Sequence, residues 1–433
     1  DIDILVNFII KEPIFDKIEA NHLSGIVSYQ HHRLYFNNIR LLTQSGAYTG
    51  FGNIPMKLYI PQVDSLNIQK LPLDFVFTGK TNHIEFLSPY FESIDSISGL
   101  NSEDSSFTMI LEITGNINNP VRNGKLIVNN AALYLNPIDN PIENINGTIV
   151  IIDNRLIIDD LTGELLKESP AKRFNTPLLS GIKKILNIDD DIKRQNVNLK
   201  GSLNLDNFFK PDFSLHFSGD DIYLKSSYNL FTGYGSADLY VTGRDTVFIH
   251  GNFLPNSNDF TITNYEGNSN NYIESFNSNN HYIYNINIPF QDGIEIKTEN
   301  ANLFMDGDVS VSRVGSGIIN YSGKINIIDG RYFDNQGNMF ENISGNLFLS
   351  PDQNSSHMDI HANTQISSST IDVTIFGNPN NPQIYFSDIE GKYSQTELLS
   401  ILTFGSPDVN LSDDISQVEN VFSNYFENKI ERN

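Results

Sequence analysis

The chain has 433 residues, enough for two or three ordinary domains or one elongated array. Hydrophobic residues make up 39% and charged residues only 18%, so amides and hydroxyls rather than salt bridges dominate the polar surface. The formal charge of −24 excludes nucleic-acid backbone binding, which needs Lys and Arg to replace phosphate counterions, and it disfavours lying flat on an anionic membrane; with no cysteine, thiolate catalysis, disulfides and Cys-type zinc sites are excluded too.

The first residues, DIDILVNFIIKEP, read as a strand already under way. They lack the basic start and small-residue cleavage site of a signal peptide, so the chain is expected to begin inside a longer protein. No apolar run of eighteen residues is present to span a membrane as a helix. From there the period is two nearly everywhere. GKLIVNN, GTIVIIDN, RLIIDD, GDVSVSR, GKINIID and GNLFLS all fit strands, and Asn, Asp, Gly and Pro punctuate them at short spacing. Strands and turns without intervening helices predict an all-β architecture.

Internal repeats are visible. LSGIVSYQHHRLYFNNI (Leu23 to Ile39) lies over INGTIVIIDNRLIIDDL (Ile145 to Leu161), and Gly25 and Gly147 precede Arg33 and Arg155 at the same spacing. A second unit pairs Gly-Lys and a strand with Glu-Asn-Ile-Asn/Ser-Gly and another strand. It occurs after Gly124 and again after Gly323. Such units stack because one alone cannot bury its apolar face. Alternation predicts one continuous apolar face, carried by Val27, Leu126, Val128, Ile149, Ile151, Leu156, Ile158, Val309, Val311, Ile325, Ile327, Leu347, Leu349, Val373, Ile375, Ile384 and Phe386. Periodicity leaves open whether that face is packed against a second sheet or lines a groove.

Two stretches interrupt the pattern. Leu165 to Gln195 predicts a short helix, and eight of the 28 basic residues fall between Lys167 and Lys200. A solvated insert and a contact for lipid headgroups or a partner are the two readings. Asn256 to Tyr282 is Asn/Ser-rich and predicts long wet loops.

Signs of catalysis are absent. No phosphate-cradling loop, nucleotide glycine fingerprint or Gly-x-Ser-x-Gly elbow occurs, and the carboxylates scatter over turns. His357, Asp359 and His361 share one strand face. They could chelate a metal, but the simpler reading turns Met358, Ile360 and Ala362 inward and the polar three to water. His31-His32 is expected in a solvated turn. The chain is therefore expected not to be an enzyme and to carry no metal or cofactor.

The run from Ile294 to Gly405 resembles the C-terminal domain of the TamB family, the inner-membrane component of the translocation and assembly module in the AsmA-like, bridge-like lipid transfer superfamily. NANLFMDGDVSVSR, SGKINIIDGRYFDNQGNMFENISGNLFLSP, MDIHANT, IDVTIFGNPNNPQIYFS and YSQTELLSILTFG carry the resemblance, and Gly-Arg-Tyr-Phe and Leu-Leu-Ser-Ile-Leu-x-Phe-Gly are its most specific pieces. The repeats before residue 163 resemble the family more loosely. The resemblance implies an elongated, U-shaped, β-taco-like sheet with an apolar inner groove. It implies a chain that carries phospholipids across the periplasm of a diderm bacterium between inner and outer membranes, with the seventeen apolar residues above lining the groove. An Omp85-type outer-membrane barrel partner and an N-terminal inner-membrane anchor, missing here, are implied as well. The expected organisation is repeats over 1–163, the basic insert over 164–200, further repeats over 201–293, the family domain over 294–405 and a truncated acidic tail over 406–433.

One helix is expected to close the array. Ser394 and Glu397 form a capping box, Leu398, Leu399, Ile401 and Leu402 share a face, and Gly405 ends the helix. It is expected to cap the groove, with partner docking and the covering of a core edge as the other readings. Two further functions compete with the conduit. One is a scaffold that offers sheet edges to barrel strands. The other is a β-solenoid adhesin or polysaccharide enzyme, ranked last because the repeat lacks a tight fixed period.

Overall fold

A computed structural model describes residues 3–15, 18–57, 70–84, 94–100, 106–135, 140–165, 196–207, 211–225, 231–256, 261–262, 281–290, 293–297, 300–314, 320–334, 337–366 and 368–407. The chain is all-β with one α-helix among these residues. The predicted basic helix, most of the Asn/Ser-rich stretch and the acidic tail from 408 on lie outside the described residues. Two compact units form, residues 1–227 with 240–245 and residues 228–239 with 246–433.

In the first unit the strands are β1 (Ile4–Lys11), a small hairpin of β2 (Ile14–Phe15) and β3 (Ile18–Glu19), β4 (His22–Gln30), β5 (Arg33–Leu42), β6 (Gly46–Pro55), β7 (Asp74–Thr81), β8 (Ile94–Gly99), β9 (Phe107–Gly115), β10 (Pro120–Leu135), β11 (Ile142–Ile152), β12 (Arg155–Glu164), β13 (Val197–Asn204) and β14 (Asp212–Lys225). The ladder runs antiparallel through β1, β4, β5, β6, β7, β9, β10, β11, β12, β13 and β14. The two aligned repeats turn in the same way. His31-His32 and Asp153-Asn154 each put two successive residues at φ between 47° and 67°, the tight hairpin turn whose twist matches the flanking strands.

In the second unit β15 (Phe231–Gly243) contributes its first nine residues, followed by β16 (Thr246–Pro255), β17 (Thr261–Ile262), β18 (His281–Pro289), β19 (Ile294–Lys297), β20 (Ala301–Val314), β21 (Asn320–Phe333), β22 (Met339–Leu349), β23 (His357–Ile366), β24 (Ser369–Asn378), β25 (Asn381–Asp388) and the helix α1 (Gln395–Phe404). β16 and β18 pair in parallel, and the ladder then runs antiparallel from β18 through β20, β21, β22, β23 and β24 to β25.

The Glu-Asn-Ile-x-Gly signature has a structural cause. Asn144 and Asn342 both stand at φ 51°, in the left-handed region that Asn tolerates better than bulkier residues. Each coincides with a register shift, between Glu143 and Asn146 and between Glu341 and Ser344. The extra residue bends the strand and turns the following isoleucine inward, so Ile145 and Ile343 are both buried. Asn38 and Asn130 make the same bulge ahead of Ile39 and Ala131. The first unit's core gathers at these bends, with Phe107, Val128, Ala131 and Ile145 in one cluster.

The glycine of the repeat has its own reason. Gly323 holds φ 140°, and a Cβ built there would stand 2.0 Å from the Asp308 carbonyl oxygen of the neighbouring strand. Gly345 repeats the arrangement at φ 153° and 2.2 Å from the Asp359 oxygen. Adjacent backbones therefore approach where a side chain would otherwise project.

Candidate functional site

Register converts the seventeen predicted apolar residues into rows. In the first unit Leu126 faces Ile149, which faces Ile158; beside them Gly124 faces Ile151, which faces Leu156. Val27 on β4 faces Phe36 and, on its other side, Val6. In the second unit one row reads Met305, Ile327, Gly345, Ile360, Ile375, Ile384 across six strands. The next rows hold Ile325 with Leu347, Val309 with Gly323 and Leu349, and Val373 with Phe386. Each unit thus carries an apolar stripe on one face. None of the seventeen side chains is fully exposed. Val128, Ile158, Val309, Ile327, Val373 and Phe386 are buried, and the other eleven are half-buried.

The second unit's stripe is graded. Toward its middle Met305, Val309, Ile327 and Ile343 pack with Phe290 and Ile294 in one cluster. Toward the ends of β20, β21 and β22 the side chains open to solvent, and Tyr321, on the stripe side of β21, is 50% exposed. Met305 is not one of the seventeen, although period two from Val309 reaches it. Ile343 is another addition; it stands after a bulge, and bulges reset the parity.

α1 closes the stripe at β24 and β25. Ser394 caps it as predicted, accepting from the Glu397 N–H while the Glu397 carboxylate accepts from the Ser394 N–H at 2.7 Å, and Gly405 ends it at φ 74°. Leu398, Leu399, Ile401 and Leu402 are buried against Ile371, Val373 and Phe386. Each such side chain stabilises the docked helix by about 1.5–3 kcal/mol. At the far end of the helix, Asn338 donates to the Leu402 carbonyl at 3.0 Å and to Asp334 at 2.7 Å. Hydrogen bonds from the Ser394 backbone and hydroxyl hold the Glu397 carboxyl below its ordinary pKa. A depressed carboxyl contributes its stability above the unfolded pKa and loses it as the pH falls through the folded one. The protection of the Ser394 amide, its exchange rate relative to an unstructured chain at the same pH, is therefore expected to fall on acidification past the carboxylate range, and to change little with pH in Glu397→Gln, which keeps an acceptor without a charge. Equal acid sensitivity in both proteins would contradict the charge-assisted cap.

The helix also closes the sheet edge. The Phe386 N–H donates to the Gln395 side chain at 2.9 Å, and the Gln395 amide donates back to the Phe386 carbonyl. Gln395 thus stands in for a neighbouring strand, and the positions that point outward from β25 are Pro382, Ile384, Phe386 and Asp388. Pro382 has no N–H to offer. The Asp388 carbonyl accepts from the Gly391 N–H at 3.2 Å. Among the described residues the Ile384 backbone, the Pro382 carbonyl and the Asp388 N–H have no such cover.

The face opposite the stripe is mixed. Lys324 lies over the Phe348 ring at 5.5 Å, and His357 stacks on the same ring at 4.5 Å. His361 contacts Thr374 at 3.2 Å and Asp359 at 3.3 Å. The three polar residues of HMDIHA are exposed, and Met358, Ile360 and Ala362 lie on the stripe side. Among the described residues no group of three or more His, Cys, Asp or Glu side chains is placed to hold a metal.

The family model of the TamB C-terminal domain matches residues 187–431, more than half of the chain. The chain belongs to the TamB family. The match takes in β13 to β25 and α1, so the graded stripe and its helix are features of a TamB domain. Membership ties the chain to the translocation and assembly module and to biogenesis of the cell envelope. Among the described residues no helix is long and apolar enough to cross a membrane. No curated protein matches the chain significantly.

Proposed function

We propose that this TamB-family chain is a non-enzymatic conduit that carries phospholipids through the periplasm, between inner and outer membranes, along its apolar stripes. The observation that carries the reading is the stripe itself, which crosses strand after strand in register and stays half-buried rather than sealed over most of its predicted positions. Acyl chains gain about 0.8 kcal/mol for each CH₂ removed from water, and a row of similar side chains offers similar energy at each step. Sliding then needs no catalytic group. An inner-membrane anchor and an Omp85-type barrel at the outer membrane are the partners this reading implies.

The scaffold reading, in which barrel strands pair with a free sheet edge, needs that edge open. At β25 the Gln395 amide, Pro382 and the Asp388–Gly391 turn cover much of that edge, which favours the conduit. Leu349 and Ile151 are half-buried, so an aspartate at either is expected to leave the fold intact, whereas Ile327 is buried and unsuited to the test. Leu349→Asp and Ile151→Asp should each lower bound phospholipid about tenfold, the equivalent of one lost apolar side-chain contact. Folded variants that hold as much lipid as the parent protein would refute the conduit.

A further inference from the structure

Arg313 interrupts the apolar stripe with a charge. On β20 it comes after Gly307, Val309 and Val311 at period two, which puts it on the stripe side at the open end of the second unit. Directly opposite on β18 stands Tyr284, on the same side as Ile286 and Ile288. Diagonally across on β21 stands Tyr321, which faces Val311. Burial raises the Tyr284 pKa, while the adjacent guanidinium lowers it and Tyr321 raises it, so the three groups form one cluster. The Arg313 Nε is buried and has no hydrogen-bond partner. Among the described residues no carboxylate pairs with Arg313. Arg313 is half-buried in a chain of net charge −24.

Tyr321 also lines a cavity of about 190 Å³ at the same end, with Asn320, Leu349, Ser350, Pro379 and Asn380. Its walls are tied down. Ser356 accepts from the Ser350 N–H at 3.0 Å, and Asn378 donates to the Asn354 and Ser356 carbonyls at 3.2 Å. Neutral amides and hydroxyls, which donate and accept alike, therefore line a cavity that reaches Tyr321, the diagonal neighbour of Arg313.

We propose that Arg313, flanked by Tyr284 and Tyr321, binds the phosphodiester of a lipid headgroup whose acyl chains lie along Val309, Val311, Ile325 and Leu349, with the remainder of the headgroup in the adjoining cavity. Arginine suits a phosphodiester because its planar fork meets two phosphate oxygens at once. Among the described residues the cavity wall carries no cation, so a headgroup that balances its own phosphate charge fits better than an anionic one. The site rests on the conduit reading for the acyl chains and stands on its own for the phosphodiester.

The test compares dioleoyl phosphatidylethanolamine with dioleoylglycerol, which has the same tails and no phosphate, by native mass spectrometry of the parent chain and of Arg313→Met. Arg313→Met is expected to lower phosphatidylethanolamine occupancy about tenfold, the equivalent of one lost charge-assisted contact, and to leave dioleoylglycerol unchanged. Tyr321→Phe, which keeps the ring, should show a smaller loss in the same direction. Equal phosphatidylethanolamine binding by parent and Arg313→Met, or an equal loss of both lipids, would overturn the site. A titration with glycerophosphoethanolamine, which has no tails, separates the two readings. If the parent binds neither lipid and this probe still moves the Arg313 Nε–H resonance, the conduit fails and the site stands for a soluble phosphodiester. If the probe leaves that resonance unmoved and neither lipid binds, both readings fall.

Discussion

Gly323→Ala is expected to destabilise the second unit by about 3 kcal/mol or more, a large share of the 5–15 kcal/mol that holds an ordinary domain together. Two costs add. At φ 140° an alanine is strained whatever space surrounds it. Its Cβ would also stand 2.0 Å from the Asp308 carbonyl oxygen and 3.0 Å from the Val309 Cα, and both are backbone atoms of a paired strand. Relief requires β20 and β21 to part where they carry Val309 and Ile325. Gly337→Ala is the control. Gly337 also has positive φ, at 87°, but nothing lies within 4 Å of its Cβ position, so the strain stands alone at about 1–2 kcal/mol. Urea unfolding midpoints compare the two variants. Equal shifts would mean that strand approach at the repeat glycine has no structural weight.

Leu398→Ala is expected to loosen α1. Leu398 is 1% exposed and sits in the cluster of Ile371, Val373 and Phe386. Truncating such a leucine costs about 2–5 kcal/mol. α1 meets the sheet through this face, so much of that cost should appear as local opening. Amide exchange within α1 is expected to rise at least about thirtyfold, while Phe404→Ala, at a side chain 57% exposed, should change it little. The functional consequence depends on where the helix lies. Undocking bares Ile371, Val373 and Phe386, so the number of phospholipids held per chain is expected to rise. A fall in bound lipid in a chain that remains folded would mean that α1 supports the stripe instead of covering its end.

How far the sequence could be read depends on which positions obey a simple period. Val309, Val311, Ile325 and Leu347 alternate within unbroken strands, and the structure places them on one face. The capping box of Ser394 and Glu397 was readable because it is local, set by four consecutive residues. Ile145 and Ile343 escaped because Asn144 and Asn342 each insert a residue and shift the parity of the strand beyond it. The Glu-Asn-Ile signature was visible as a repeat, but its meaning as a bulge depends on a partner strand distant in sequence. Gln395 escaped for a similar reason, since its bond to the Phe386 backbone depends on how α1 folds back on β25. Arg313 stood in plain view at the end of GDVSVSR. A terminal arginine reads as a solvated strand end until β18 and β21 set a tyrosine on either side of it.

The most direct test is lipid extraction and mass spectrometry of the purified chain. The account predicts several phospholipid molecules per chain, fewer in Leu349→Asp and Ile151→Asp, with circular dichroism unchanged. A monodisperse, folded chain free of lipid would show both stripes packed shut and would contradict the conduit.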